Sequence, residues 1–271
     1  MANIRFGFQT YTWQMSYERF RGRVPHILDV VAKAGGTGFE PEICMLGDYA
    51  TAPDRLAEEL RQRQLQLGAL AYVADWRHTH ETDDEKASAD QAMDFTLRFP
   101  GARFQLCQMP GKDRTHLAER QNNCLTCINA VAKRAADKGL ITTVHPNSPP
   151  GSLFRIRSDY DQLMDGMDKA VLGWTPDTGH IAKGGMDPLD MIKTYRPLVR
   201  HLHFKDISQD KDWIEMGRGV TDFPAIVSYL TSTGFDGWIM VEDESRRAES
   251  DPDLVTIENG DYIRRRLMGI H

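Results

Sequence analysis

The 271-residue sequence lacks any long apolar run and has no excess of basic charge. No apolar run is long enough to cross a bilayer, and the first residues, MANIRFGFQT, contain no secretory h-region. We therefore expect a cytoplasmic protein with no membrane partner. The formal net charge is −6, and because duplex-binding surfaces are usually basic, we also expect no nucleic-acid partner.

Cysteine is scarce, and its spacing excludes a zinc ribbon. Cys124 and Cys127 form the one C-x-x-C motif among four cysteines, whereas a ribbon needs a second pair. A redox C-x-x-C opens a helix after a strand, but this one lies inside the amphipathic stretch QNNCLTCINAVAKRAADKG. We expect both cysteines to be small core-facing residues of a helix.

What the sequence does contain is an alternation of short apolar runs with helix-period segments. Strict alternation of this kind predicts a parallel sheet with crossover helices. Eight such units predict an α/β fold, a single (β/α)8 TIM barrel that occupies residues 1–271 as one domain. The eight candidate strands are Arg5–Tyr11, Thr37–Ile43, Leu65–Val73, Ala102–Gln108, Leu140–Pro146, Ala170–Asp177, Val199–Asp206 and Gly237–Asp243.

A doubly wound open sheet is the alternative architecture. It would require a glycine-rich phosphate turn after the first strand, and FQTYTWQ offers none. The absence of a phosphate cradle also predicts an unphosphorylated substrate.

Polar residues stand at the ends of several candidate strands, where a parallel barrel places its catalytic groups. Asp177, His203 and Glu242 close three successive runs, so we expect them to converge at one mouth. An imidazole with two carboxylates suits Mn²⁺, Mg²⁺, Co²⁺ or Zn²⁺. The second run also ends near acidic residues, Glu40 and Glu42. The structural alternative is that Asp177 caps a turn and His203 bonds to a carbonyl.

Three further residues are candidates for contact with a substrate. His180 follows Asp177 on the next turn and would hydrogen-bond a hydroxyl or carbonyl. Lys205 shares a strand face with His203. Trp13 lies past the end of the first strand, where sugars often stack, although it could equally be packed at the rim of the core.

At these residues the sequence resembles the xylose-isomerase-like TIM-barrel family of sugar isomerases and epimerases, which includes inosose isomerases and dehydratases and ketose 3-epimerases. The resemblance runs over nearly the whole chain. It is carried by DTGHIAKGGMDP, HLHFKD, MGRGVTDF and GWIMVEDES, in this order and spacing, while AGGTGFEPE alone would be weak.

The resemblance implies a ligand set and substrate contacts. Asp177, His203 and Glu242 would bind one divalent ion, with Mn²⁺ the preferred metal, and His180 would contact the substrate. Arg218, in MGRGVTDF, lies on a loop that reaches the substrate in some relatives.

The sequence departs from the family at the end of the fifth run. Many relatives place a glutamate there as fourth ligand and catalytic base, whereas TTVHPNS places His145 there. His145 would be either the fourth metal ligand or the base, and Asn147 on the same face would bind substrate. The text HPNSPPGS is closer to the inosose-dehydratase-like members.

The resemblance implies a divalent-metal-dependent sugar isomerase or epimerase that acts on a small-molecule keto sugar or cyclitol. His145 or Glu242 would remove the proton next to the carbonyl, and reprotonation would give the isomer or epimer. Expulsion of a β-substituent would instead make the chain a lyase, either inosose dehydratase-like or acting on a 3-keto-glycoside. The oligomeric state is left open, a homo-oligomer included.

Two rival classes share this architecture. An endonuclease-IV-like DNA repair enzyme would need more histidine and glutamate ligands for three zinc ions, and a basic face. A sugar-binding barrel without catalysis would keep His180 and the aromatic residues Trp13, Tyr72 and Trp76 but would need no metal. Metal content would separate these classes.

Overall fold

The computed structural model describes residues 3–270. Backbone contacts divide the chain into two compact units. The terminal unit consists of the residues up to Gly68 together with those from Leu202 onward, and the central unit is Ala69–His201. The single domain over residues 1–271 stays a prediction.

The strands are short and lie where the apolar runs predicted them. In chain order they are β1 Asn3–Gln9, β2 Gly38–Glu40, β3 Gln66–Leu67, β4 Ala69–Ala74, β5 Arg103–Gln108, β6 Ile141–His145, β7 Leu172–Trp174, β8 Leu202–Phe204, β9 Asp206–Ile207, β10 Trp213–Ile214 and β11 Asp236–Val241.

Helices separate most of these strands. They are α1 Tyr11–Gln14, α2 Tyr17–Phe20, α3 Val24–Lys33, α4 Pro53–Gln62, α5 Asp83–Thr96, α6 Leu117–Asp137, α7 Arg157–Gly166, α8 Thr178–Lys183, α9 Pro188–Thr194, α10 Phe223–Ser232, α11 Arg246–Ser250 and α12 Pro252–Arg266, with 3-10 helices at Ile43–Thr51 and Arg196–Leu198. Within residues 3–270, no helix combines the length and the apolar character needed to cross a membrane.

In the terminal unit the strand order is β3-β2-β1-β11-β8, and all these pairs are parallel. The register sets Phe6 opposite Ile239 and His203 opposite Met240. A small antiparallel hairpin, β9 with β10, follows β8. This order places the carboxyl ends of β2, β8 and β11 on the same edge of one sheet.

In the central unit the strand order is β4-β5-β6-β7, again entirely parallel. Cys107 on β5 stands opposite His145, the last residue of β6. Because β6 and β7 are neighbours, the residues that follow them leave the sheet side by side.

All eight predicted runs contain a strand, but three of the predicted boundaries are wrong. Tyr11 begins α1 rather than ending a strand, and the third run holds two strands, because Gly68 separates β3 from β4. Glu242 and Asp243 lie just past β11. The apolar pattern could not reveal the hairpin, whose two strands are each two residues long.

The cysteine prediction is confirmed. Cys124 and Cys127 lie on α6, and neither has exposed surface. The next face of the same helix buries Ile128 and Val131, so the two thiols belong to the apolar stripe that packs on the sheet.

Glycines in the terminal sheet make room for two large side chains of β11. A Cβ atom on Gly38 would lie 2.5 Å from the ring of Trp238, and one on Gly7 would lie 2.6 Å from the sulfur of Met240. Both large side chains are buried, with 2% and 0% of their surface exposed. The sheet interior therefore depends on pairing a large residue with a glycine on the neighbouring strand.

We expect Gly38→Ala to destabilise the fold by about 1–3 kcal/mol, because the added methyl group overpacks the indole of Trp238. Urea unfolding measures the loss. In the double variant Gly38→Ala/Trp238→Leu the shorter side chain relieves the clash, so the two costs should not add. Strict additivity would contradict this account of the glycine.

Candidate functional site

Asp177 uses its two carboxylate oxygens differently. It follows β7 and forms the N-cap of α8, with Oδ1 accepting the backbone N–H of His180 at 2.8 Å. The side chain is fully buried. Because the cap occupies only Oδ1, Oδ2 is turned toward other partners. The capping and the ligating roles considered for this residue are thus compatible.

Two imidazoles approach the second oxygen of Asp177. Nε2 of His145, at the end of β6, lies 3.5 Å from Oδ2, and Nε2 of His180, on α8, lies 4.0 Å from it. The two rings are perpendicular, with centroids 5.5 Å apart, and each residue is 7% exposed. We call these three residues the central cluster.

The orientation of His180 is fixed from its other side. The hydroxyl of Ser148 lies 2.8 Å from Nδ1, so a hydrogen bond on that nitrogen leaves Nε2 toward Asp177. A partner on the second ring nitrogen is how metal-ligating and catalytic histidines are commonly oriented. Ser148 stands three residues after His145, just past the end of β6.

The central cluster fits a divalent ion. One ligand atom from each residue lies within 4.8 Å of the others. Two atoms bonded to one tetrahedral ion at about 2.0–2.1 Å lie about 3.3 Å apart, close to the 3.5 Å between His145 and Asp177. Two imidazole nitrogens and a carboxylate oxygen suit Zn²⁺, Co²⁺ and Mn²⁺.

Asn147 and Cys107 surround His145 without joining this cluster. Asn147 donates from Nδ2 to the carbonyl of Gln108 at 2.8 Å and accepts a hydrogen bond from Ser152. The thiol of Cys107 lies 3.9 Å from Nδ1 of His145. In this structure the amide of Asn147 holds loop backbone, and its substrate contact stays a prediction.

The terminal unit carries a second group of buried charges. His203, on β8, lies with Nε2 2.7 Å from Oε1 of Glu40 and with Nδ1 3.4 Å from Oε2 of Glu242. Burial lowers the pKa of His203, but the two carboxylates outweigh burial and raise the pKa to about 10. As a metal ligand His203 would have to release this proton, so metal binding would be coupled to proton release.

Lys205 neutralises the carboxylates of this group. Its ammonium forms ion pairs with Glu242 and Glu244 and lies 5.0 Å from the centre of the Trp213 ring. The residue is 1% exposed, so both its charge and its apolar stem are enclosed. The structure thus gives Lys205 a role in holding Glu242, and its predicted contact with substrate stays a prediction.

Two predicted substrate contacts lie elsewhere in the terminal unit. Arg218 is an exposed residue of the loop between β10 and α10, and the carboxylate of Asp206 holds that loop by accepting the N–H groups of Gly217, Gly219 and Thr221. Trp13 is fully buried, and its indole donates to Asp253 at 2.7 Å. These contacts give Trp13 a packing role and offer no support for stacking with a sugar.

The structure thus groups the predicted residues within each unit. His145, Asp177 and His180 meet in the central unit, and His203, Glu242 and Lys205 meet in the terminal unit. The convergence of Asp177 with His203 and Glu242 on one ion stays a prediction. Sequence reasoning assigned no role to Glu40 or Ser148, although each stands at or just past a strand end.

Comparison with known proteins identifies relatives over most of the chain. A family model described as "Xylose isomerase-like TIM barrel" matches residues 28–266. Inosose dehydratase from Lacticaseibacillus casei is 25% identical, and the match covers 87% of each chain.

Solved structures match over a larger share of the chain. D-psicose 3-epimerase from Clostridium cellulolyticum H10, solved with D-tagatose, has a TM-score of 0.78 at 15% identity and covers 97% of this chain and 99% of that one. The IolI protein with a bound zinc atom has a TM-score of 0.77 at 16% identity, covering 96% of each chain. These matches confirm the predicted TIM-barrel fold class and the predicted resemblance.

We expect Asp177→Asn to separate the cap of α8 from the metal site. An asparagine oxygen can still accept the N–H of His180, so the free energy of unfolding in EDTA should change little, whereas Asp177→Ala should cost about 1 kcal/mol or more. Both variants lose the second carboxylate oxygen. Mn²⁺ or Zn²⁺ affinity should fall in both by more than the about 10–100-fold of a lost outer partner. Metal affinity kept in the asparagine variant would leave Asp177 as a cap alone.

Proposed function

The chain belongs to the xylose isomerase-like TIM barrel family, and on that premise we propose that it is a metal-dependent enzyme that dehydrates a cyclitol ketone of the inosose class. The observation that carries the proposal is the central cluster, in which two imidazoles flank one oxygen of a buried carboxylate. The named activity of the curated relative from Lacticaseibacillus casei agrees with it.

Dehydration next to a ketone needs a base and an acid. The base removes the proton from the carbon beside the carbonyl, the bond to the β-hydroxyl breaks, and that hydroxyl leaves as water after it receives a proton. A divalent ion in the site would supply Lewis-acid stabilisation of the negative charge that develops on the carbonyl oxygen.

His145 is the proposed base and His180 the proposed acid. Imidazoles exchange protons readily near neutral pH, and the centroids of these two rings lie 5.5 Å apart. Asp177 would favour a proton on the ring that has just accepted one, because its second oxygen lies between their Nε2 atoms. Ser148 would keep His180 in the orientation that presents Nε2.

The metal ligands follow the sequence prediction as far as each unit allows. In the central unit Asp177 would hold the ion through Oδ2, with His145 as a further ligand if it is not the base. In the terminal unit His203 and Glu242 are the proposed ligands. Mn²⁺ remains the proposed native metal, with Mg²⁺, Co²⁺ and Zn²⁺ as alternatives.

Isomerisation or epimerisation of a keto sugar is the second candidate function. It shares the first proton abstraction but returns the proton to carbon instead of expelling a hydroxyl. The buried carboxylate of Glu242, held by Lys205 just past the end of β11, favours it, because a carboxylate can accept a proton and return it.

The remaining sequence predictions stand as proposals. The partner is a small unphosphorylated keto sugar or cyclitol, with no nucleic-acid or membrane partner, and a homo-oligomer is left open. The protein is proposed to act in the cytoplasm.

One assay separates the two reactions. The protein, with Mn²⁺ supplied, is incubated with inososes, ketoses and 3-keto-glycosides in deuterated water, and the products are identified by mass and NMR. Dehydration gives a product lighter by one water, whereas isomerisation or epimerisation gives a product of unchanged skeleton with deuterium at the exchanged carbon. Glu242→Gln should fold and lose turnover. No metal-dependent product from any class would overturn the proposal.

His145→Ala distinguishes the roles left open for this residue. A base alone should leave metal content intact and lower turnover by about 10²–10⁴-fold. A ligand should also lower metal affinity. If the variant folds and keeps both turnover and solvent exchange at the substrate carbon, His145 is neither, and the proton must be removed by another residue.

A further inference from the structure

Trp76 lies just past β4 with a backbone conformation that a bulky residue rarely adopts. Its φ is +45°, in the left-handed region. The position is held by α5, because the backbone N–H of Trp76 donates to Oε1 of Glu85 at 2.7 Å. The second oxygen of Glu85 accepts the N–H of Thr82 at 2.9 Å as part of the helix cap. Strain retained by a well-defined support is most often found at functional sites.

The indole N–H of Trp76 is a buried donor. The side chain has no exposed surface, and Nε1 makes no hydrogen bond to any residue within 3–270. Leaving such a donor unsatisfied costs about 1–3 kcal/mol. The combination of a strained backbone and an unsatisfied donor at one residue asks for an acceptor that the chain itself does not supply.

A small cavity beside Trp76 provides the place for that acceptor. Its polar lining includes His145, Asn147 and Gln108, and its apolar lining includes Phe154. The cavity has room for about one water molecule, which is also the size of a single hydroxyl group. It therefore adjoins the proposed base and matches one hydroxyl of a polyhydroxylated ring.

We propose that the indole N–H of Trp76 donates a hydrogen bond to one hydroxyl oxygen of the substrate, in the cavity beside His145. This inference rests on the proposed function, because a cyclitol or sugar supplies the hydroxyl. The contact would fix which face and which carbon of the ring meet His145. Trp76 is thus a specificity-determining residue, acting through its N–H rather than by stacking.

Trp174 is a matched control. It is equally buried, and its Nε1 likewise makes no hydrogen bond to the described residues. Unlike Trp76, it stands perpendicular to Tyr160 and Tyr195, with centroids 6.1 and 5.9 Å away. Ring faces can accept an N–H weakly. Trp174 is also outside the lining of the cavity, so its N–H has no substrate to meet there.

The first test reads the N–H directly. The five tryptophans give five indole signals in an ¹⁵N-labelled, Mg²⁺-loaded full-length protein, and single Trp→Phe variants assign them. If Trp76→Phe does not fold, the other four variants assign Trp76 by elimination. On titration with an inosose, the Trp76 signal should shift downfield and saturate, while that of Trp13, already bonded to Asp253, should not move.

The outcomes separate this inference from the proposed function. A Trp76 signal that stays fixed while other signals saturate overturns the inference and leaves the proposed function standing. If neither inososes nor ketoses bind, the proposed function fails and the inference fails with it. A Trp76 signal already downfield and unchanged on titration identifies a permanently bound water and also overturns the inference.

The second test locates the hydroxyl. Trp76→Phe should lower kcat/KM by about three- to tenfold, the worth of one neutral hydrogen bond, and Trp174→Phe should leave it within about twofold. A series of deoxy analogues is then compared. With the analogue that lacks the bound hydroxyl, Trp76→Phe and the parent protein should have equal kcat/KM. The same loss with every analogue would show that Trp76 contacts no substrate hydroxyl.

Discussion

The arrangement of the central unit depends on how the carboxylate of Asp177 divides its two oxygens. One oxygen starts α8 by accepting the N–H of His180, and the other lies between the imidazoles of His145 and His180. The same side chain therefore fixes the direction in which α8 leaves the sheet and the position of the ring that α8 carries. A shorter side chain would lose both, and a neutral one would keep only the first.

A different constraint governs the terminal unit, where charges are buried together. His203 lies between Glu40 and Glu242, and Lys205 lies between Glu242 and Glu244. Removing a charge from water is costly unless a partner is close, so each of these residues depends on the others. Glu242 is the shared member, contacted by both cations. This arrangement keeps a carboxylate ionised and correctly placed at a strand end, where a cation can replace the positive charge that the proton on His203 supplies.

Much of this could be predicted from sequence because parallel strands place their ends together. Reading the last residues of each apolar run found His145, Asp177, His203 and Glu242 without any coordinates, and the fold class followed from the alternation of runs and helices. What could not be predicted depends on spatial contacts between distant segments. Glu40 lies 163 residues from His203, and no local pattern announces their pairing.

Side-chain chemistry at the end of β6 bears on which reaction the chain performs. A glutamate there would add a negative charge beside Asp177, whereas the imidazole of His145 adds none when neutral. Less negative charge favours the oxyanion that forms when a proton leaves the carbon beside a carbonyl. An imidazole pair can also hold the abstracted proton on one ring while the other protonates the departing hydroxyl. A single carboxylate that returns the same proton suits reprotonation at carbon, so replacing glutamate by histidine at this strand end favours elimination over epimerisation.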